Sequence, residues 1–215
     1  MSGSLSYQHP HTGEWAHHRQ DPYQEALLCF VLPALELGLP PDGSPLNILE
    51  FGFGRGANTA VALEKLREKG FQGEVQCLGL EPNPSYLEPW PENPPSWGEW
   101  PWWAEPSSSW KVKERPWAGT ISQNAAPEGL PKEPWADWIF LDLFSPAKHP
   151  SDWPSHLFSG LARAARPGAV LTSYCCARAV RDRLTGTGWE VERLSGDYQR
   201  DHLRARMPCY SSARA

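Results

Sequence analysis

The chain has 215 residues, a formal net charge of −5 and a mean hydropathy of −0.54, with 40% hydrophobic residues. This length suits one domain with a sizeable core, and no apolar run approaches the roughly 20 residues of a membrane-spanning helix. The first residues lack the basic and apolar pattern of a signal peptide. The five cysteines show no metal-binding or redox spacing, so reduced thiols are expected. We predict a single domain, residues 1–215, of a cytoplasmic protein with no metal site and no membrane segment.

Charge is distributed unevenly between the two parts of the chain. Residues 1–160 contain 10 Lys and Arg against 20 Asp and Glu, whereas residues 161–215 contain 10 Arg against 5 Asp and Glu. The negative total argues against nucleic acid as a partner. The basic C-terminal part suggests one positively charged face, although chance scatter on a solvated surface explains the same counts. The composition leaves both interpretations open.

Helix and strand patterns alternate along the chain after a helical N-terminal entry, residues 1–45, which is interrupted near Pro33. Such alternation predicts an α/β fold with a mostly parallel sheet and helices on both faces. The last strand follows its neighbour after a short turn, so we expect it to pair antiparallel. The predicted strands are 47–52, 74–81, 119–125, 136–144, 169–175, 189–194 and 202–207, and the predicted helices are 21–39, 59–69, 155–165 and 177–188, with a stop at Pro167 and Gly168.

A segment rich in tryptophan and proline, residues 82–135, interrupts this alternation. From Pro82 to Trp138 lie nine of the twelve tryptophans and twelve of the 23 prolines. So many prolines exclude a regular helix. We expect the tryptophans to form a local core and a lid over the sheet rather than to stack on a substrate base, and we do not expect a separate domain.

The stretch "NILEFGFGRGANTAVAL", residues 47–63, joins a predicted strand to a predicted helix through three glycines. Gly52, Gly54 and Gly56 let the backbone approach a ligand closely, because glycine has no Cβ. A strand, a glycine turn and a helix form the opening unit of nucleotide-binding α/β folds. The spacing G-x-G-x-G differs from the G-x-G-x-x-G of dinucleotide sites.

Two carboxylates favour one nucleotide over another. Glu81 ends the second predicted strand, where a carboxylate accepts hydrogen bonds from ribose hydroxyls of NAD or S-adenosylmethionine. Glu50 lies two residues before the first glycine. The negative charge of Glu50 would repel the pyrophosphate of NAD. The same charge attracts the cationic methionine end of S-adenosylmethionine, directly or through water. The pattern therefore favours S-adenosylmethionine over NAD.

Two segments resemble the tRNA 5-methylaminomethyl-2-thiouridine methyltransferases, which act on the wobble uridine. "ILEFGFGRGAN" is similar to their E-L-G-F-G-T-G-x-N motif, and "ADWIFLDLFSPAKHPSDW" is similar to their D-x-x-F-L-D-G-F-[AS]-P-A-K-N-P-x-x-W segment. The resemblance implies a Rossmann-like class I fold. It also implies methyl transfer from S-adenosylmethionine to an aminomethyl nitrogen of the wobble uridine in tRNA.

The resemblance also implies roles for individual residues. Asp142 matches the acid at the end of the fourth strand. We predict that it accepts the proton of the acceptor amine or, equally, that it orients the amine by a hydrogen bond and leaves the proton to water. The predicted cofactor-binding residues are Glu50, Gly52, Phe53, Gly54, Gly56, Asn58, Glu81 and Asn124. The predicted substrate-binding residues are Phe144, Ser145, Pro146, Lys148, Arg200 and Arg204, the last two as candidate contacts to tRNA.

The chain departs from the family pattern at three places. Leu143 replaces a glycine beside the acceptor loop, Asn124 replaces an aspartate, and the family's basic cluster is replaced by "GDYQRDHLRARM". The acidic total charge favours one alternative, an N-methyltransferase for a small molecule or a protein. The departures at Leu143 and Asn124 support another, a non-catalytic S-adenosylmethionine-binding protein. No flavin domain is recognised, so we expect no flavin and infer that a separate enzyme supplies the aminomethyl acceptor. No obligate protein partner is expected.

Overall fold

The computed structural model describes residues 6–16, 21–41, 43–87, 93–103, 108–125, 128–196 and 201–209. The strands are β1 Leu46–Phe51, β2 Val75–Leu80, β3 Ser109–Lys111, β4 Trp117–Ser122, β5 Ala136–Leu141, β6 Ala165–Ser173, β7 Glu190–Leu194 and β8 His202–Arg206. The helices are α1 Pro22–Glu25, a π-helical segment Ala26–Val31, α2 Leu32–Glu36, α3 Ala57–Glu68, α4 Ser155–Ala164 and α5 Arg178–Gly186, and short 3₁₀ turns cover Pro84–Tyr86 and Pro150–Asp152. None of the helices in these ranges is both long and apolar enough to span a bilayer.

The eight strands form one sheet in the order β3-β4-β2-β1-β5-β6-β8-β7. Strands β4, β2, β1, β5 and β6 are parallel, β8 runs antiparallel to both β6 and β7, and β3 runs antiparallel to β4. This arrangement confirms the predicted mostly parallel sheet with an antiparallel last strand. After β1 the chain adds β2 and β4 on one side of β1 and then β5 and β6 on its other side. The strand order therefore reverses between β1 and β5, and open α/β sheets bind ligands at such a point.

Helices cover both faces of the sheet and bury two apolar clusters. One cluster packs the N-terminal helices and α3 against Leu46, Ile48 and Trp138, and the other packs α4 and α5 against Leu49 and Ile139. Successive residues of β1 therefore face opposite layers, and all six are buried. The predicted helices on both faces are confirmed.

The N-terminal helical stretch differs from the predicted break at Pro33. The chain continues without a break from α1 through the π-helical segment into α2, and Pro33 lies in the first turn of α2. Proline has no N–H, and its ring collides with the carbonyl four residues earlier. The wider π-helical turn before Pro33 accommodates the ring without ending the helix.

Strand β6 begins earlier than the sequence suggested. We predicted a helix up to residue 165 and a strand from 169, but α4 ends at Ala164 and β6 begins at the next residue. The pairing with β5 shifts register after Ala136, and Gly168 adopts a φ of +85°. Pro167 and Gly168 therefore form an irregular start of the strand rather than a separate turn, since neither suits regular pairing.

The tryptophan-rich segment packs on α3 and on the sheet. Trp102 is fully buried and lies 5.5 Å from the Phe53 ring and 5.3 Å from the Trp110 ring, measured between ring centroids. The N–H of Glu99 donates to the carbonyl of Ala60 on α3. The segment also contains strand β3, which the sequence did not reveal. Its described tryptophans contribute to the core, as expected.

Candidate active site

A cavity of about 760 Å³ opens at the carboxyl ends of β1, β2, β4 and β5. Parallel strands place their carboxyl ends at one edge, so residues that are distant in sequence meet there. The cavity is closed on one side by the N-terminal segment, residues 6–16. Seven of the residues predicted from sequence line it: Gly52, Glu81, Asn124, Asp142, Phe144, Ser145 and Lys148.

The glycine turn after β1 brings two strands together. Gly52 has a φ of +69°, and a Cβ at this position would lie 2.2 Å from the backbone oxygen of Asp142. Gly54 has a φ of +51°, and its Cβ would lie 2.8 Å from the hydroxyl of Tyr7. A Cβ on Gly56 would meet the rings of Phe53 and Trp102. At all three positions the missing Cβ therefore lets the turn pack closely against neighbouring residues.

Glu50 and Asn58 lie behind the cavity wall rather than in its lining. Glu50 is 1% exposed and accepts hydrogen bonds from the backbone N–H and the hydroxyl of Thr59 and from Nδ2 of Asn58. Burial raises the pKa of Glu50 to about 7, against the opposing effect of these hydrogen bonds. Nδ2 of Asn58 also donates to Oδ2 of Asp142 at 2.8 Å. The predicted direct or water-mediated contact of Glu50 with the cofactor remains a prediction.

Asp142 lies at the end of β5 and lines the cavity. Burial raises the pKa of Asp142 well above its usual range, and the charge of Glu25 raises it further. The hydrogen bond from Asn58 lowers it. The backbone N–H of Asp142 donates to the carbonyl of Phe51, which fixes this strand end against β1. Asp142 is therefore a carboxyl group with raised proton affinity, held in place at the cavity wall.

Glu81 lies at the end of β2, as the sequence predicted. Its carboxylate accepts hydrogen bonds of 3.0 Å from the N–H groups of Gly54 and Asn83. Burial raises its pKa to about 6, and the two hydrogen bonds lower it. These bonds orient the carboxylate between the loops that follow β1 and β2.

Several residues of the cavity carried no clear signal in the sequence. Tyr7 stacks on Tyr86 with ring centroids 4.4 Å apart, and Glu14 binds the loop after β5. Both Tyr7 and Glu14 belong to an N-terminal segment without helix or strand periodicity. Glu25 and Tyr174 also line the cavity. Tyr174 directly follows β6 at the carboxyl edge of the sheet, a position from which its role could have been predicted.

The loop after β5 accepts Leu143 without backbone strain. Among the described residues Glu114 is the single non-glycine residue with positive φ, so Leu143 does not need the glycine that the family pattern has there. The carbonyl of Leu143 accepts a hydrogen bond of 2.7 Å from the Tyr174 hydroxyl. The carbonyl of Phe144 accepts one of 2.7 Å from Nε1 of Trp153. The loop is therefore held by aromatic side chains on both sides.

The remaining predicted residues occupy other places. Asn124 is exposed at the cavity rim, and Pro146 does not contribute to the lining. Arg204 forms ion pairs of 2.8 Å with Glu36 and Glu192, and its side chain is 13% exposed. Arg200 lies outside the described residues. The structure thus separates Arg204 from the cavity and neutralises its charge.

The cavity chemistry fits S-adenosylmethionine. Five carboxylates line the cavity, whereas Lys148 is the one Lys or Arg side chain among its described lining residues. An acidic cavity suits a ligand that carries a sulfonium and an ammonium group. The carboxylates are Glu14, Glu25, Glu81, Asp142 and Asp152.

Comparison with known proteins identifies the family. The chain is 30% identical over 175 residues to the tRNA 5-methylaminomethyl-2-thiouridine biosynthesis bifunctional protein MnmC of Aeromonas hydrophila, covering 72% of this chain and 26% of that protein. It is 31% identical over 184 residues to the MnmC of Chromobacterium violaceum, covering 77% of this chain and 27% of that protein. The chain therefore spans about a quarter of the length of these curated relatives.

A solved structure and a family model agree with these relatives. The crystal structure of MnmC2 from Aquifex aeolicus superposes with a TM-score of 0.81 at 24% identity, covering 98% of this chain and 74% of that one. This likeness confirms the Rossmann-like class I fold, and the relatives confirm the resemblance seen in the sequence. The model of a family described as S-adenosyl-L-methionine-dependent methyltransferase matches residues 101–208. The chain belongs to this family and is an S-adenosyl-L-methionine-dependent methyltransferase.

Proposed function

We propose that the enzyme methylates the exocyclic aminomethyl nitrogen of a modified wobble uridine in tRNA. The observation that carries the proposal is the place of Asp142, a half-buried carboxyl with raised pKa at the cavity wall, inside the segment that resembles the family's acceptor motif. The names of the curated relatives refer to the biosynthesis of this modified nucleotide. Together these points favour an amine of tRNA as acceptor.

The proposed chemistry requires an acceptor nitrogen with a free lone pair. A primary alkyl amine is mostly protonated at neutral pH, so a group of the protein must receive a proton. The raised pKa of Asp142 makes its carboxylate a stronger base than an exposed aspartate, which reduces the free-energy cost of accepting a proton from an ammonium group. Asn58 holds Oδ2 of this carboxylate in a fixed direction.

The cofactor residues follow from the same geometry. Glu81 is the candidate for the ribose, the backbone of Gly52 lies beside the same space, and Asn124 at the rim is the candidate for the adenine amino group. S-adenosylmethionine, when bound, supplies a methyl group that is attached to a sulfonium sulfur, and the neutral thioether is a good leaving group. The residues of the chain then act mainly by aligning donor and acceptor.

The proposed partner is tRNA that already carries the aminomethyl group, supplied by a separate enzyme. The acidic cavity receives the cationic amine, and it is not a site for phosphates. Phosphates would instead meet arginines of the C-terminal part, such as the exposed Arg178 at the start of α5. A cytoplasmic location remains part of this proposal.

Methyl transfer to tRNA of defined modification state tests the proposal. The purified protein is incubated with labelled S-adenosylmethionine and with tRNA bearing an aminomethyl uridine, and the nucleosides are analysed by mass spectrometry. Transfer to the aminomethyl nucleoside, and none to matched tRNA with unmodified uridine, is the expected result. Methylation of a small amine or a peptide with both tRNAs unchanged would favour the first alternative. Cofactor binding without any transfer would favour the non-catalytic alternative.

A further inference from the structure

The N-terminal segment holds the loop after β5 through one carboxylate, Glu14. The backbone N–H of Ser145 donates to Oε1 of Glu14 at 3.0 Å, and the Ser145 hydroxyl donates to Oε2 at 3.0 Å. Nε2 of His149 lies 3.5 Å from the same Oε2. The Glu14 side chain is 15% exposed and lines the cavity. One residue far away in sequence therefore contacts both ends of this loop.

The loop itself is compact, so its two anchor points move together. The N–H groups of Lys148 and His149 both donate to the carbonyl of Ser145, at 3.1 and 2.9 Å. Nε2 of His149 lies 2.9 Å from the hydroxyl of Thr12, which is a second link to the N-terminal segment. Because the loop follows directly after Asp142, its position sets what surrounds that carboxyl group.

The hydrogen bond to Glu14 also fixes the polarity of the Ser145 hydroxyl. A hydroxyl has one donor and two acceptor sites. The Ser145 hydroxyl donates to Oε2 of Glu14, so its one proton points to Glu14. What Ser145 offers to the cavity is then limited to its oxygen lone pairs. A methyl-accepting substrate with an N–H group can donate a hydrogen bond to the Ser145 oxygen. A carbonyl or a carboxylate of a substrate has no proton to donate to it.

We propose that Glu14 is a positioning residue that orients Ser145 as a hydrogen-bond acceptor for an N–H of the methyl-accepting amine. This inference rests on the proposed amine acceptor and adds a residue that sequence reasoning did not select. Glu14 acts through Ser145 and makes the cavity specific for N–H donors. The alternative is a purely structural role, in which Glu14 ties down the N-terminal segment without affecting the acceptor.

Two variants separate these roles. In Glu14→Gln one oxygen remains, so one of the two bonds from Ser145 is lost, and the new NH₂ group can donate to the Ser145 oxygen and turn its proton toward the cavity. Ser145→Ala removes the hydroxyl but keeps the backbone N–H. Glu190→Gln, on exposed β7, is the matched control for loss of a charge.

The first measurement is a double-mutant cycle on kcat/KM for tRNA with an aminomethyl uridine. Each single substitution should lower kcat/KM about tenfold, the effect of one lost hydrogen bond, and the double variant should be no worse than Glu14→Gln alone. The affinity for S-adenosylmethionine, measured by calorimetry, should fall less than kcat/KM does in Glu14→Gln and stay unchanged in Glu190→Gln. Independent, additive losses would overturn the proposal, as would wild-type activity of Glu14→Gln.

The second measurement does not depend on the acceptor. Amide hydrogen exchange of Ser145 should be protected in the wild type and in Glu190→Gln, and it should become faster in Glu14→Ala, which removes the oxygen that accepts from the Ser145 N–H. Equal exchange in all three proteins would overturn the anchoring contact. A protected Ser145 amide in a wild-type protein that never methylates aminomethyl uridine would refute the proposed function and support the anchor.

Discussion

Nδ2 of Asn58 lies 2.8 Å from Oδ2 of Asp142 and 3.1 Å from Oε1 of Glu50, so one side-chain amide donates to a buried and to a half-buried carboxyl group. Burial raises the pKa of both carboxyl groups. Asn58 therefore connects the end of β1 with the end of β5. It holds Asp142 at the cavity wall while Glu50 stays behind it.

Replacing Asp142 by alanine should separate catalysis from cofactor binding. We expect methyl transfer to fall about 10²-fold or more, the usual scale for a positioned proton acceptor, with cofactor affinity roughly unchanged. Single-turnover transfer and calorimetry measure the two quantities. Glu190→Ala, on the exposed strand β7, is the control. Near-normal turnover in Asp142→Ala would show that the residue is structural.

Cofactor binding should depend on pH through Glu81. Its pKa is raised to about 6, so the carboxylate is ionised above this value and becomes protonated below it. A ligand that is cationic and offers hydroxyl donors prefers the ionised form, so its affinity should fall as the pH drops below 6, by up to about tenfold per pH unit. Calorimetry between pH 5 and 8 measures this. In Glu81→Gln the affinity should be lower and its dependence on pH weaker, and an unchanged pH profile would contradict the assignment.

Glu50 should make the ligand-free protein less stable as the pH rises. Its pKa is raised from 4.5 to about 7 in the folded state, so the folded protein binds this proton more tightly than the unfolded chain does. The resulting stabilisation is complete below pH 4.5 and is lost as the pH rises through 7, a difference of about 3 kcal/mol. Urea unfolding at pH 5 and pH 8 should show a smaller difference in Glu50→Gln than in the wild type. Equal differences would exclude this linkage.

Gly52 and Gly70 form a matched pair, since both have a φ of +69°. A Cβ at Gly70 meets no atom within 4 Å, whereas a Cβ at Gly52 lies 2.2 Å from the backbone oxygen of Asp142. Gly70→Ala should cost about 1 kcal/mol of unfolding free energy from backbone strain alone. Gly52→Ala should cost about 3 kcal/mol or more and reduce cofactor affinity. Similar losses in both variants would show that the close approach at Gly52 is not important.

Arg178 and Arg206 test whether tRNA binds at the edge of the cavity. Arg178 begins α5 after the carboxyl end of β6, and its side chain is 87% exposed. Arg206 is also exposed, but it pairs with Val170 in β6 and lies away from the carboxyl ends of the strands. Arg178→Glu should weaken tRNA binding and lower the salt slope by about 0.9 per lost phosphate contact, if the duplex behaves like DNA. Arg206→Glu should have a smaller effect. Equal effects would place the contacts elsewhere.

Arg204 was a predicted tRNA contact, and its surroundings suggest another outcome. It bridges Glu36 and Glu192, so Arg204→Glu brings three carboxylates together. We expect this change mainly to lower the melting temperature, because like charges repel. Its effect on tRNA affinity should be smaller than that of Arg178→Glu. A large loss of affinity without loss of thermal stability would restore Arg204 as a contact.

The sequence by itself determined the elements whose signals are local. Strand β1, the glycine turn and α3 follow from an apolar run, from glycines with positive φ and from helical periodicity, and Glu81 and Asp142 follow from their positions at strand ends. These signals depend on neighbouring residues, so a single sequence carries them. The resemblance to a known family then connected this pattern with methyl transfer.

Only the tertiary structure decided which distant residues meet at the cavity. Glu14 reaches Ser145 from 131 positions away, and Tyr7 stacks on Tyr86 in a segment that has no periodic pattern. Arg204, basic in the sequence, is neutralised by acids from two other elements. Such contacts depend on how the helices and loops pack on the sheet, and packing between distant segments leaves no local pattern in the sequence.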